Sequence, residues 1–264
     1  MFRWCSFCQS YIGQKEPYQD YSITHGICLK CKNNIEDINL EKFEKIISFY
    51  QELKETLDLG VLPECKFLVQ KGRQLNITPA DLLAGIMQPL LYEIGARYEK
   101  GKLEIYQEHQ FSNFTQQLIH ELIKEYKLDF ENSASPEVLL FMAEHEYHEF
   151  GVRFLEVLFR QEGLKAKAIL PGMPTDQILK LSQRFMPKVI CISVTIEKHF
   201  EDLLNSLTVF NNWQGELPLI IVGGQGANHK ITPSLDYIKI NTGDIQSILK
   251  TIKERVHSQE KKVS

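Results

Sequence analysis

From Pro136 onward, short apolar runs rich in β-branched residues alternate with stretches of helical period, and few folds accommodate that alternation. The runs predict strands at Val138–Met142, Lys167–Leu170, Val189–Val194, Leu219–Val222 and Tyr237–Ile240. The periodicity between them predicts helices over Phe150–Gln161, Thr175–Phe185, Lys198–Phe210 and Asp244–Val256. Strands that are apolar throughout need cover on both faces, so five parallel strands wrapped by helices are expected. In a doubly wound sheet of this kind ligands sit beyond the carboxyl ends of the strands, which directs attention to the loop after the first one.

The chain has 264 residues, more than the common domain size of about 100–150, so further modules precede this one. Cys5 and Cys8 form one C-x-x-C pair and Cys28 and Cys31 a second, with a polar, aromatic-rich stretch from Tyr11 to Gly26 between them. Each C-x-x-C turn can aim two sulfurs at one ion, and two turns complete a closed tetrahedron, so the spacing predicts a four-thiolate zinc site. A segment this short cannot bury enough apolar surface to fold alone, and the metal supplies the missing energy. A redox dithiol pair, or four unrelated thiols, is the other reading. His25 could replace one thiolate. Cys65 and Cys191 sit in apolar contexts and are expected to be packing residues.

Between these modules the pattern is helical. Leu40, Phe43, Ile46, Ile47, Tyr50 and Leu53 recur at helical spacing from Asn39 to Leu59 and predict a connector helix. A short helix follows Pro63. Thr78, Pro79 and Asp81 then read as an N-cap, a first-turn proline and an early carboxylate. A long helix should run from there to Gly101 with Leu82, Leu83, Ile86, Met87, Leu90, Leu91, Ile94 and Tyr98 on one face. Another is expected from Glu104 to Tyr126, burying Phe111, Phe114, Leu118 and Leu122. The segment from Val61 to Leu128 thus predicts a small helical bundle.

A net charge of -4 gives no global positive field for nucleic acid, so no direct nucleic-acid partner is expected. The start Met-Phe-Arg-Trp-Cys-Ser lacks the basic-then-apolar order of a leader, and the apolar runs are too short to span a bilayer. A cytoplasmic location without a membrane partner is the expectation.

The loop after the first predicted strand reads Ala143-Glu144-His145-Glu146-Tyr147-His148-Glu149-Phe150-Gly151. Alone it could be a solvated turn. Glu146-x-His148-x-x-Gly151 is followed by 41 residues, Ser193-Val194-Thr195, 27 residues, and Gly223-Gly224. This series resembles, in order and spacing, the fingerprint of the vitamin B12 (cobalamin)-binding domain, Asp/Glu-x-His-x-x-Gly, then Ser-x-Leu/Thr, then Gly-Gly. The resemblance implies a flavodoxin-like fold with His148 as lower axial ligand of cobalt and Glu146 orienting its ring. It also implies that Ser193 and Thr195 bond the cofactor's displaced nucleotide tail, and that Gly223, Gly224 and Gly226 let backbone approach it. His145 has the wrong phase and is expected at the surface or behind the ligand.

Two further resemblances concern the other modules. Trp4-Cys5-Ser6-Phe7-Cys8 and Thr24-His25-Gly26-Ile27-Cys28-Leu29-Lys30-Cys31 are similar to small cysteine-rich segments attached to bacterial signalling proteins. Leu91 to Tyr98, then Gly101, then Gln107-Glu108-His109 resembles the helical cap of light- and cobalamin-responsive bacterial regulators. In that family nine residues separate a tryptophan from the Glu-His pair, and here Tyr98 stands in the tryptophan's place. The resemblance implies that Tyr98, Glu108 and His109 line the pocket of the upper ligand. Tyr98 then packs that ligand with less area or selects methyl or hydroxo over adenosyl; read without the resemblance, it ends an apolar stripe. Glu99 occupies the position of a histidine that can bind cobalt from above, so a bis-histidine light product is not expected here.

The expected architecture is multi-domain α/β: a four-cysteine zinc module over 1–36, a connector helix over 37–60, a helical-bundle cobalamin cap over 61–132, a five-stranded cobalamin-binding domain over 135–258 and a tail over 259–264. No segment reads as the winged helix-turn-helix that such regulators carry. The resemblance therefore implies a non-enzymatic cobalamin-binding sensor, a B12-dependent photoreceptor or cobalamin sensor, carrying adenosylcobalamin or methyl- or hydroxocobalamin. It would signal through a protein partner, a regulator or kinase, or through self-association. The alternative is a corrinoid methyl carrier serving a separate methyltransferase. A mutase is disfavoured, since no barrel-sized substrate domain is present.

Overall fold

Strands of four residues cannot form a stable sheet without something else to pack on, and the first three strands lie against helices. The computed structural model describes residues 1–5, 8, 10–17, 20–32, 40–129, 135–227, 237–241 and 245–257. Its contacts divide the chain into two units, Met1–Leu128 and Asp129–Ser264. The expected joins at 36–37 and just past 132, and the tail 259–264, lie outside the described residues.

In the first unit β1 (Phe2–Cys5) is the middle strand of a small sheet, antiparallel to β2 (Tyr11–Gln14) and parallel to β3 (Ile23–Gly26). Periodicity predicts no strands here, because four-residue segments rich in Tyr, Gly and His show no usable alternation. A short α1 (Leu29–Lys32) follows, then α2 (Leu40–Asp58), which buries Phe43, Ile46, Tyr50 and Leu53 along the expected stripe. The Tyr50 hydroxyl donates to the Tyr21 carbonyl at 3.1 Å, and the His25 ring packs edge-on against Phe43, so α2 and the small sheet share one core.

After α3 (Cys65–Gln74), α4 (Pro79–Leu82) starts as its sequence predicts, with Thr78 Oγ1 accepting from the Asp81 N–H at 3.2 Å. The expected long helix is not uniform. Leu83–Met87 form a π-helical turn, in which the Gln88 N–H reaches back to the Leu83 carbonyl, before α5 (Gln88–Glu99) resumes. Pro89 explains the wider turn: an α-helix would pair the Gly85 carbonyl with the N–H of residue 89, which proline lacks. The Trp4 indole N–H takes that carbonyl instead, at 3.2 Å. The apolar stripe is buried from Leu82 to Leu90 and then emerges, leaving Tyr98 41% exposed. Gly101, at φ +64, turns the chain into α6 (Ile105–Glu125), which buries Phe111, Phe114, Leu118 and Leu122 as expected.

The second unit contains the predicted parallel sheet. Its strands and helices run β4 (Val138–Met142), α7 (Phe150–Gln161), β5 (Ala166–Ile169), α8 (Thr175–Phe185), β6 (Val189–Ser193), α9 (Lys198–Ser206), β7 (Leu219–Gly223), β8 (Ile238–Asn241) and α10 (Ile245–His257). The strand order β5-β4-β6-β7-β8, all parallel, is the flavodoxin-like arrangement. Leu139 and Phe141 of β4 join Ile190, Ile192, Ile220 and Val222 on one face of the sheet, and the alternate residues are equally buried on the other. One predicted helix is shorter than expected. α9 ends at Ser206 and gives way to a 3-10 turn, Leu207–Asn212, because the Ser206 and Thr208 hydroxyls bond back to the carbonyls of Leu203 and Asn205. No described helix is long and apolar enough to cross a membrane.

The β7 loop is stitched over the end of β6. The Val194 N–H donates to the Gly223 carbonyl at 2.8 Å and the Gly226 N–H to the Val194 carbonyl at 3.0 Å. Gly224 sits at φ +116, and a Cβ there would fall 2.3 Å from the Val194 oxygen. Gly224→Ala is therefore expected to destabilise the second unit by about 3 kcal/mol, from backbone strain and the clash together. Urea unfolding followed by far-UV circular dichroism measures it.

Candidate functional site

The sheet order reverses beside β4, so the loops after β4 and β6 meet at the carboxyl edge, where doubly wound sheets bind ligands. Glu146 comes from the first loop and is only 2% exposed. Its Oε1 accepts from the backbone N–H groups of Thr195 and Ile196, both at 2.8 Å, and lies 3.3 Å from His199 Nδ1. Its Oε2 is buried with no hydrogen-bond partner among the described residues. That bare oxygen lies 3.6 Å from Nδ1 of His148, whose side chain is 63% exposed.

One carboxylate oxygen is thus held by three donors and the other is left for an imidazole at the surface. A proton on His148 Nδ1 would face Oε2 and leave the Nε2 lone pair directed away from it, the tautomer a metal ligand requires. His145, in the same loop, is exposed at φ +64 and pairs loosely with Glu144. Ser193 and Thr195 are half-buried at the end of β6. Gly151 opens the space in front of Ser193: a Cβ there would lie 3.7 Å from Ser193 Oγ, an ordinary contact. Gly223 ends β7. The glycines after it have a role the sequence did not reveal: a Cβ on Gly226 would fall 2.7 Å from the Ile196 carbonyl carbon, so this residue, like Gly224, permits contact between two protein loops.

Sequence reasoning passed over His199, which lies outside the motif and on a different helix. Its only sequence signal is its place in the first turn of the helix after the Ser-x-Thr strand end. With two backbone donors remaining on Glu146 Oε1, His199→Ala is expected to cost the second unit about 1 kcal/mol. Chemical denaturation of the variant beside the parent chain checks this.

In the first unit, Tyr98 lies near the end of α5, and Glu108 and His109 lie in the first turns of α6. Glu108 accepts from the Ser112 hydroxyl at 2.7 Å and meets His109 Nδ1 at 3.0 Å. The exposed rings of Tyr98 and Tyr106 flank the turn between the two helices.

The parallel pairing of β1 with β3 sets Cys5 opposite Gly26, which brings the two C-x-x-C turns together. The four sulfurs of Cys5, Cys8, Cys28 and Cys31 lie within 4.8 Å of one another, so the group could hold a metal ion. The Cys28 N–H points at Cys5 Sγ (3.5 Å) and the Cys31 N–H at Cys28 Sγ (3.4 Å), donors that would stabilise thiolates. Loss of water pushes both the Cys28 and Cys31 thiols up, Cys31 to about 12 with the sulfurs of Cys28, Cys8 and Cys5 adding to the rise, whereas at Cys28 the bonds with Cys31 offset part of it. His25 is not part of the group; its ring is occupied with Phe43. Cys191 is buried in β6 as expected, whereas Cys65 is only half-buried, its sulfur 3.8 Å from the Phe114 carbonyl.

Residues 51–123 match the family model described as B12 binding domain. Among solved structures, the chain is similar to the monomethylamine corrinoid protein of Methanosarcina barkeri, with 11% identity and a TM-score of 0.56 over 71% of this chain and 88% of that one. Weaker likenesses are to a methanol:cobalamin methyltransferase complex of Methanosarcina barkeri (14% identity, TM-score 0.40, 76% and 77% covered) and a cobalamin-binding protein of Desulfitobacterium hafniense (14%, 0.38, 78% and 96%). No curated protein matches. By sequence the segment 51–123 thus resembles the B12 binding domain family, and the chain shares its fold with the monomethylamine corrinoid protein.

Proposed function

We propose that this chain is a cobalamin-binding sensory or regulatory protein that signals through a protein partner. The observation that carries the reading is the buried Glu146 with one oxygen pinned and the other bare beside the exposed His148. A buried, half-satisfied carboxylate is costly unless a ligand completes its surroundings, and a metal drawing on His148 Nε2 would do so by fixing the proton on Nδ1. The donor set fits a cobalt corrin. When bound, that group supplies a cobalt–carbon bond which light or a methyl acceptor can break. Ser193 and Thr195 would bond the displaced nucleotide tail, with Gly151 and Gly223 lining its channel and Gly224 and Gly226 acting on it only through the loops they bring together, and Tyr98, Glu108 and His109 would contact the upper ligand. Cys5, Cys8, Cys28 and Cys31 would bind zinc in a closed structural site, in a chain working in the reducing cytoplasm. The partner is a regulator, a kinase or a second copy of the chain.

The test is reconstitution with adenosylcobalamin in the dark, with absorption spectra and light-scattering mass before and after green illumination. A bound spectrum and an assembly that both change with light support a photoreceptor. Binding of methyl- or hydroxocobalamin alone, with an assembly indifferent to light, moves the reading to a cobalamin sensor. The fold likeness to a methylamine corrinoid protein favours the second reading, a methyl carrier. Transfer of the methyl group from the methylcobalamin-loaded chain to a thiol acceptor, catalysed by an added methyltransferase, would establish it in place of the first.

A further inference from the structure

The first C-x-x-C turn is bracketed by two residues fastened to the same stretch of helix. Trp4 directly precedes Cys5, and Tyr11 follows Cys8. The Trp4 ring is fully buried, with its indole N–H on the Gly85 carbonyl at 3.2 Å. The Tyr11 backbone N–H donates to Asp81 Oδ1 at 3.0 Å. Asp81 lies in α4 and Gly85 in the π turn that continues it. The fit is close: a Cβ on Gly85 would fall 2.0 Å from Trp4 Cζ2. Further along, Tyr92 of α5 meets the rings of Phe2 and Tyr21.

Neighbouring strand residues face opposite ways, so Trp4 enters the helix while Cys5 joins the sulfur cluster on the other side of the strand. One peptide bond therefore separates a candidate metal ligand from the group that satisfies the carbonyl Pro89 leaves open. Four-residue strands cannot keep Trp4 and Tyr11 in position without help.

We propose that metal occupancy of the Cys5, Cys8, Cys28 and Cys31 cluster controls the order of the helical stretch Pro79–Glu99, through Trp4 in the π turn and Tyr11 on Asp81. With metal bound, both anchors hold and the turn keeps its indole partner. With metal removed, the turn loses them and the helix that carries Tyr98 loosens. Metal availability thus becomes a second input to the unit that carries the cap residues. The inference rests on reading the four thiols as a metal site and deepens the proposal for that site.

Hydrogen exchange read by mass spectrometry on the full chain tests it, with zinc loaded or stripped by chelator under reducing conditions. Stripping is expected to speed exchange across 83–99 at least about tenfold while 150–257 stays unchanged. Trp4→Phe, which keeps a ring but loses the donor, should speed exchange in 83–99 with zinc still bound. Exchange that rises only within 1–32 on stripping overturns the inference, as does a zinc-loaded Trp4→Phe chain that matches the parent. Metal uptake is measured separately, by zinc released on thiol titration and by the sulfur-to-metal absorption of cobalt(II) in the same site. A chain that takes up neither ion at these thiols overturns the zinc reading and the inference together. A loaded chain with no response in 83–99 overturns the inference alone.

Discussion

Replacing Cys28 by serine is expected to lower the stability of the first unit by about 2.5–4 kcal/mol, a quarter of the roughly 10–16 kcal/mol a structural zinc site supplies. Cys28 occupies the middle of the cluster: its sulfur is 3.7 Å from Cys8 Sγ, its N–H points at Cys5 Sγ, and it accepts from the Cys31 N–H. Serine oxygen is a poor zinc ligand at neutral pH, so the variant would keep the shape of the turn and lose the bond. The measurement is a thermal melt of the full chain with and without chelator. Chelator should lower the parent's first transition by more than the variant's, whose three remaining thiols hold metal less tightly. Cys65→Ser, outside the cluster, should shift it by less than about 1 kcal/mol. A parent melt indifferent to chelator, and equal to that of Cys28→Ser, would show that no metal holds the small sheet.

Three substitutions at the carboxyl edge of the larger sheet should separate ligation from stability. His148→Ala removes an exposed side chain, so stability should hold within about 0.5 kcal/mol while the lower-face histidine signature of bound cobalamin disappears. Glu146→Ala strips the acceptor from two backbone N–H groups and should cost about 2–5 kcal/mol along with ligation. Glu146→Gln is the informative one. The N–H groups of Thr195 and Ile196 would claim the amide oxygen, turning the amide nitrogen toward His148 Nδ1. The imidazole proton is then driven to Nε2, the wrong tautomer for a metal. The fold should survive, with cobalt ligation weakened about 10–100-fold, the usual range for loss of a ligand's orienting partner. Absorption spectra of hydroxocobalamin titrated with each variant read ligation, and urea unfolding reads stability. Equal ligation by the glutamine variant and the parent would remove Glu146 from the role proposed for it.

The alternation of strand and helix in the second unit was legible because each element's neighbours are decided by short-range pattern. The ends of α7 and α8 and both limits of β4 fall where the pattern placed them, and the other strand limits agree to within a residue. The Thr78 cap and the Gly101 stop were equally local. Two kinds of feature escaped. The small sheet of the first unit is too short to carry a period. The π turn needed both Pro89 and a distant indole to be understood: the proline by itself marks a break in the helix but not the group that satisfies the carbonyl it leaves.

Residue spacing alone determined that two thiol pairs, a helical segment and a parallel sheet occur in this order, and that Glu146 and His148 share the loop after the first strand of that sheet. Those properties follow from local propensity, capping and hydrophobic period, which act over a few residues. Only the tertiary structure decided what Glu146 bonds to, since its partners Thr195 and Ile196 are 49 and 50 positions away and His199 is 53. It likewise decided that Trp4 reaches the Gly85 carbonyl, 81 positions along the chain. A buried polar atom takes whichever donor packing brings to it, and packing is settled by the whole set of apolar faces at once.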